Sequence, residues 1–162
     1  MQDLISRHGV CRIEDMGDGD EEERQLLLPM LEEARAYLAR FAWCEGVDAV
    51  YFGMGCGNVF AIFLFEIRNT GFPENHLLWV VVGDIPPAYL RVDADDDPED
   101  ALDMYIRLMG AWVDAVEQGR PVDKLVPVNA PPTAEYAAML ASRLIFLQEN
   151  FFSDEDEDAD AD

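Results

Sequence analysis

Histidine and cysteine, the side chains most often used as general base, nucleophile or transition-metal ligand, are few in this 162-residue chain. There are two histidines, His8 and His76, and three cysteines, with no C-x-x-C pair and no two histidines at metal-binding spacing. The combination with the most catalytic potential is Cys44 as nucleophile with His76 as general base. A cysteine that follows a helix is much more often a small buried hydrophobe. We therefore assign no catalytic residue, no cofactor and no metal ligand.

Two short patterns imitate ligand-binding loops but differ from them where the chemistry is strict. The D-x-D-x-D pattern at 93–97 begins like an EF-hand calcium loop, yet Pro98 stands where glycine is required and Met104 where glutamate is required. The G-x-G-x-G pattern at 53–57 resembles a phosphate-binding loop, but such loops lead from a strand into a helix N-terminus. Here the apolar pattern predicts strands on both sides, so we expect a tight hairpin.

The acidic residues are concentrated in three runs, although the net charge of the whole chain is -23. Residues 14–23, 93–103 and 153–162 each contain seven acids and no base, while the remainder has 13 acids and 11 bases. Concentrated negative charge disfavours nucleic acid and anionic membranes, and it favours a basic protein as partner. The first two runs lead into helix N-termini, where acids are stabilised by the helix dipole. The third run has no such role, and it either keeps the domain soluble or takes part in binding a partner.

A further group of residues lies around the expected end of an apolar strand. The segment 83–86 (G-D-I-P) is typical of a strand terminator, in which the Asp84 side chain caps the turn and the prolines fix the exit. The alternative is a functional site at this strand end, where Asp84 shares a cleft with residues from another part of the chain. The candidate site residues are Trp43, Cys44, Glu45, Asp84 and Tyr89.

The same residues belong to two motifs, W-C-E at 43–45 and W-V-V-V-G-D-I-P-P-A-Y at 79–89. On these motifs the chain resembles a group of small bacterial proteins that share W-C-E and W-x-V-x-G-D-[IL]-P-x-x-Y. The resemblance extends over residues 43–152 and does not include the acidic tail. It implies a bacterial cytosolic protein, but the group has no assigned activity to transfer.

The spacing of apolar residues predicts three helices. The first covers 20–43, starts with residues at 20–23 that resemble a capping box and contains Pro29, which either kinks it or begins a second helical piece. The second begins with an Asp-Pro cap and covers 97–119. The third covers 132–151.

Between the helices the apolar period changes to that of strands. The predicted strands are Ala49–Met54, Asn58–Arg68, Leu77–Gly83 and a short fourth one at Leu90–Val92. The connections are too short for a parallel crossover, so we expect an antiparallel meander. Both alternating sets of the second and third strands are apolar, which indicates that both faces of the sheet are covered. The expected core anchors are Trp79 and Trp112.

We therefore predict an α+β fold with an N-terminal helix, a three- to four-stranded antiparallel meander, two C-terminal helices and a disordered acidic tail. A single domain would cover residues 1–152, of which 1–19 are weakly structured, and the tail would cover 153–162. The N-terminus has no signal-peptide pattern and no apolar run is long enough to span a bilayer. We expect a cytoplasmic protein.

The leading functional interpretation is non-catalytic binding of a basic protein, in the manner of a small acidic inhibitor or immunity protein. The alternative is a small-molecule binder or hydrolytic enzyme with a pocket near Asp84. A convex acidic face would favour the first, and a concave polar pocket at the strand ends would favour the second. The sequence assigns no oligomeric state.

Overall fold

The computed structural model describes residues 2–17, 19–57, 59–69, 71, 76–93, 95–125, 128 and 131–152, so the tail at 153–162 lies outside the described residues. Within the described part the chain forms four α-helices and five strands. The helices are α1 (Gln2–His8), α2 (Glu21–Ala39), α3 (Pro98–Glu117) and α4 (Ala134–Asn150). The strands are β1 (Cys11–Arg12), β2 (Cys44–Cys56), β3 (Phe60–Asn69), β4 (Leu77–Gly83) and β5 (Ala88–Arg91).

The five strands form one antiparallel meander in the order β1-β2-β3-β4-β5. The predicted α+β class and antiparallel topology are therefore confirmed: from β2 to β5 each short connection returns the chain to the neighbouring strand, while α2 lies between β1 and β2. Two residue pairs between neighbouring strands determine where Asp84, which follows Gly83, and Tyr89 lie. Gly83 pairs with Phe60, and Tyr89 pairs with Val80.

The sheet has more strands than the sequence predicted. Residues 1–19, expected to be weakly structured, contain α1 and also β1, which pairs with Tyr51 and Phe52 of β2. The short strand expected at Leu90–Val92 is β5, which begins at Ala88. A two-residue strand and a seven-residue helix are too short to leave a readable apolar period; Ile5, Val10 and Ile13 indicate a short strand or turn at most, and α1 is not predicted.

The first long helix is shorter than expected and the following strand is longer. α2 is continuous through Pro29 but ends at Ala39 rather than at residue 43. Its last turn tightens, because Phe41 N donates to Leu38 O at 3.1 Å. Cys44 N then donates to Phe41 O at 3.1 Å, and β2 begins at Cys44 rather than at Ala49.

The sheet lies between α2 on one face and α3 with α4 on the other. Along β3, Phe63 and Phe65 pack in the cluster on the α2 side, and Ile62 and Leu64 pack in the cluster on the α3–α4 side. All four side chains are fully buried, which confirms that both faces are covered. The two expected anchors lie in the α3–α4 cluster: Trp79 and Trp112.

Both inner acidic runs contain a helix cap, as predicted. Asp97 Oδ1 accepts from Asp100 N at 2.9 Å, and Asp100 Oδ2 accepts from Asp97 N at 3.0 Å, which completes a capping box. Asp20 Oδ1 accepts from Glu23 N at 3.2 Å. In a capping box the Glu23 side chain would accept from Asp20 N. Here Glu23 Oε2 accepts from Gly57 N instead, at 2.8 Å.

The glycine pattern at 53–57 lies in the β2–β3 hairpin and not before a helix, as predicted. Val59 N donates to Cys56 O at 3.0 Å and closes the turn. A Cβ at Gly57 would lie 2.5 Å from Leu26 Cβ, so the absence of a side chain lets the hairpin pack directly on α2.

Candidate functional site

Strand β4 ends at Gly83, immediately before Asp84, as the sequence predicted. Gly83 has a φ of +132°, and a Cβ there would lie 2.5 Å from Phe60 Cα. Only glycine fits this combination of backbone angle and close approach. Asp84 N then donates to Val59 O at 2.9 Å, after which the chain leaves the sheet.

The Asp84 carboxylate interacts with a helix rather than capping its own turn. Arg143 of α4 donates from Nε to Asp84 O at 2.8 Å and from Nη2 to Asp84 Oδ2 at 3.1 Å. The Asp84 side chain is 70 % exposed and that of Arg143 is 38 % exposed. An ion pair this exposed contributes about 0–1 kcal/mol to stability. The predicted turn cap is therefore corrected to an ion pair between the 83–87 segment and α4.

A buried tyrosine of α3 also holds the 83–87 segment. Tyr105 of α3 donates its hydroxyl proton to Pro86 O at 2.6 Å. Burial raises the pKa of Tyr105 above its ordinary value, with a smaller contribution from Tyr37, so the hydroxyl keeps the proton that this bond requires. The 83–87 segment is thus held by α3 through Tyr105 and by α4 through Arg143.

A cleft of about 310 Å³ opens between the 83–87 segment and α4, and we call it the Asp84 cleft. The buried Trp112 lies at its base, while Tyr136 and Met139 of α4 form an exposed wall. Asp84 and Arg143 are the charged side chains that line it. The cleft therefore combines apolar walls with one carboxylate and one guanidinium.

A second cleft of about 370 Å³ continues the first along α4. It shares Asp84, Ile85 and Arg143 with the Asp84 cleft and adds Phe146, which is also exposed. Positions 136, 139, 143 and 146 follow one another at steps of three and four, so they lie on one flank of the helix. This flank is apolar apart from Arg143.

Trp43 and Tyr89 lie together, but on the opposite face of the sheet from the Asp84 cleft. Their ring centroids are 5.0 Å apart, and Phe41 contacts both rings at 5.1 and 5.2 Å. Tyr89 pairs with Val80, whose side chain belongs to the α2 cluster, whereas Trp112 belongs to the α3–α4 cluster. The structure brings two of the five candidate residues into contact and places Asp84 elsewhere.

Cys44 lies beside this aromatic group and is suited to packing rather than to nucleophilic attack. It is half-buried and packs against the α2 cluster. Burial raises the pKa of the Cys44 thiol, and a hydrogen bond with the Gly46 backbone offsets only part of this shift. A reactive cysteine needs a lowered pKa. The neighbouring Glu45 is exposed, and the His76 carbonyl accepts from Ile67 N at 2.8 Å at the start of β4.

The two inner acidic runs both lie against the segment 8–11, and we call this part of the structure the acidic end. His8 Nδ1 donates to Asp96 O at 2.7 Å, and the position of a Cβ on Gly9 lies 3.8 Å from Asp97 Cβ. Gly9 also lines a cleft of about 480 Å³ together with Asp15 and Glu23 of the first run. Residues 8–11 therefore contact both runs, although the runs are far apart in sequence.

Sequence analysis gave no role to the residues that make these long-range contacts. Arg143 and Tyr105 lie in the predicted helices without a motif around them, and His8 is one of only two histidines. Nothing in their local patterns indicates Asp84, Pro86 or Asp96 as partners. The one available signal was that Arg143 is the sole base in α4, next to an apolar stripe.

Within the described residues, no group of three or more His, Cys, Asp or Glu side chains is placed to hold a metal ion. The helices of this part of the chain do not include one that is long and apolar enough to cross a membrane. The charged side chains that line the Asp84 cleft, its continuation along α4 and the cleft at the acidic end are carboxylates and one guanidinium.

No protein-family model matches the chain, and no curated protein or solved structure gives a significant match. The resemblance carried by residues 43–45 and 79–89 accordingly stays a prediction.

Proposed function

We propose that the protein is a non-catalytic binding protein whose acidic end associates with a basic protein, in the manner of an inhibitor or immunity protein. The observation that supports this most directly is the meeting of runs 14–23 and 93–103 around residues 8–11. Two acidic runs held close together produce a stronger local potential than two distant runs would. Such a potential accelerates encounter with a basic partner and orients it.

The acids of the acidic end divide into two sets. The first set stabilises the fold, because Asp20, Asp97 and Asp100 cap helix N-termini. The second set is exposed and caps no helix, so its carboxylates can face a partner. Its members include Glu14, Asp15, Glu22 and Asp95.

The proposal is tested by removing charge at the acidic end while a matched variant loses the same charge elsewhere. The test variant carries Glu14→Gln, Asp15→Asn, Glu22→Gln and Asp95→Asn. The control variant carries Glu32→Gln, Glu117→Gln, Glu135→Gln and Glu149→Gln, all of which are exposed. The probe is cytochrome c, a basic globular protein, and calorimetry measures its dissociation constant at low and at physiological salt.

We expect the test variant to bind the probe about tenfold more weakly than the wild type at low salt, and the control variant to change by less than about threefold. The difference should shrink as salt is added, because exposed charges are screened. Equal weakening by the two variants would contradict the proposal, since attraction would then depend on net charge and not on the acidic end.

A second candidate function, the binding of a small molecule, is favoured by the Asp84 cleft. Its volume of about 310 Å³ lies at the lower end of the range for ligand sites, and its apolar walls with a few polar groups match their usual composition. A ligand of this cleft should raise the melting temperature of the wild type. It should have much less effect on Tyr136→Ala, in which one wall is removed.

A further inference from the structure

We propose that the Asp84 cleft binds a small organic cation, an amine carried on an apolar and preferably aromatic body. This inference rests on the second candidate function and names the class of ligand for that cleft. It is independent of the acidic end, which lies around residues 8–11. Three features support it: the size of the cleft, its walls and the accessibility of its carboxylate.

The walls of the cleft fit an apolar ring. Trp112 and Leu140 give a buried apolar base beside the half-buried Pro86, and Tyr136 and Met139 of α4 form an exposed wall. Their exposure means that apolar surface remains in contact with water until a ligand covers it. The ring of Tyr136 also favours cations, because its face carries partial negative charge.

The charges of the cleft favour a positively charged head group. The Asp84 carboxylate is 70 % exposed, whereas the Arg143 guanidinium that pairs with it is 38 % exposed. Arg143 engages Oδ2 of this carboxylate, which leaves Oδ1 for a second donor. An ammonium group can therefore bind Asp84 without breaking the ion pair.

An anionic head group is disfavoured by the same geometry. It could bind only the remaining N–H groups of Arg143, the less exposed partner of the pair, and the neighbouring Asp84 carboxylate would repel it. It would also enter the field of a chain with a net charge of -23. The preference for a cation therefore follows from both the local pair and the whole molecule.

The test compares two probes that differ in the sign of the charge on one group. Tryptamine and indole-3-propionate have the same ring and the same two-carbon arm, which ends in an ammonium group in one and a carboxylate in the other. Binding to the full-length chain is measured by NMR titration at low salt. We expect tryptamine to bind at least about fivefold more tightly, because a charge-assisted bond to Asp84 forms only with the amine.

Two variants and a matched control locate the binding. Asp84→Asn should weaken tryptamine binding at least about fivefold, since it removes the charge but keeps the shape. Arg143→Gln should leave tryptamine binding unchanged or tighten it, because the competing cation is gone. The control is Asp48→Asn, which removes another exposed aspartate paired with an arginine, Arg68, at 3.2 Å and outside the cleft. It should leave the affinity unchanged.

Each alternative outcome has a separate meaning. Equal loss of tryptamine binding in the Asp84 and Asp48 variants would overturn the proposal, since the amine would then be attracted by net charge alone. Equal or tighter binding of indole-3-propionate in the cleft would overturn the cation assignment while leaving a small-molecule site. Failure of both probes to bind would overturn the cation proposal and count against the second candidate function as well.

Discussion

At the scale of single residues, burial separates the groups that position the Asp84 cleft from those that face a ligand. The hydrogen bond from Tyr105 to Pro86 O is made by a fully buried side chain, whereas the Asp84–Arg143 pair is exposed. Exposed ion pairs contribute little to stability, and buried polar groups are costly to leave without a partner. The 83–87 segment is therefore held mainly by Tyr105, and Asp84 can change without collapse of the cleft.

Tyr105→Phe should destabilise the protein and alter its response to alkaline pH. Loss of the hydroxyl leaves Pro86 O without its donor, at a cost of about 1–3 kcal/mol. Burial raises the pKa of Tyr105 above 10.0, so above that pH the unfolded chain releases a proton that the folded protein keeps. Stability should thus fall as pH rises above 10, and this fall should be shallower in the variant. Urea denaturation across this pH range measures it, with the exposed Tyr136→Phe as control.

Trp79 and Trp112 should differ when each is replaced by phenylalanine. Trp79 is fully buried and its Nε1 has no hydrogen-bond partner among the described residues, so Trp79→Phe removes a desolvated donor together with some packing. Trp112→Phe loses packing but removes no unpartnered donor, so it should lower the free energy of unfolding by more than Trp79→Phe does, as measured by denaturant unfolding. Alanine at either position should cost about 3–5 kcal/mol. Equal costs for the two phenylalanine variants would indicate that Trp79 Nε1 has a partner after all.

Among helices and strands, the features set by neighbouring residues could be predicted from the sequence, whereas contacts between distant residues could not. Asp97 with Pro98 fixed the start of α3, and the apolar period located β3 and β4, because caps and side-chain alternation act within a few residues. The Asp84 candidate was placed correctly at the end of a strand. Its partner Arg143 is 59 residues away and could not be inferred from spacing, and Trp43 with Tyr89 proved to lie on the other face.

The capping box at the start of α3 should be the most sensitive part of the second acidic run. Asp97→Ala removes the acceptor for Asp100 N and should lower the free energy of unfolding by about 1–2 kcal/mol. Asp95→Ala, in the same run, is exposed and should change stability by less than about 0.5 kcal/mol. Thermal and denaturant unfolding of the two variants compare them directly. A similar effect of both would mean that charge density, and not the cap, determines stability here.

Across the whole molecule, the two proposed binding surfaces differ in charge: the acidic end is strongly negative and the flank of α4 is mostly apolar. The acidic end combines runs that belong to the starts of α2 and α3. The flank of α4 is apolar with one arginine, and the whole helix carries only Glu135, Arg143 and Glu149 as charged residues. A basic protein and a small amine would therefore be attracted to different places, so that the two proposals can succeed or fail separately.

The tail at 153–162 should be dispensable for folding, and its removal should relieve repulsion within a molecule of net charge -23. Deletion removes seven carboxylates and no apolar residue larger than alanine, so no core contact is expected to be lost. At neutral pH and low salt the melting temperature should be unchanged or slightly higher. At about 1 M salt, where the screening length falls to about 3 Å, any gain should disappear. A full-length chain with the tail acids changed to Asn and Gln should behave like the deletion, because charge and not chain length causes the effect. A fall of several degrees on deletion, but not on this neutralisation, would instead show that the tail packs against the domain.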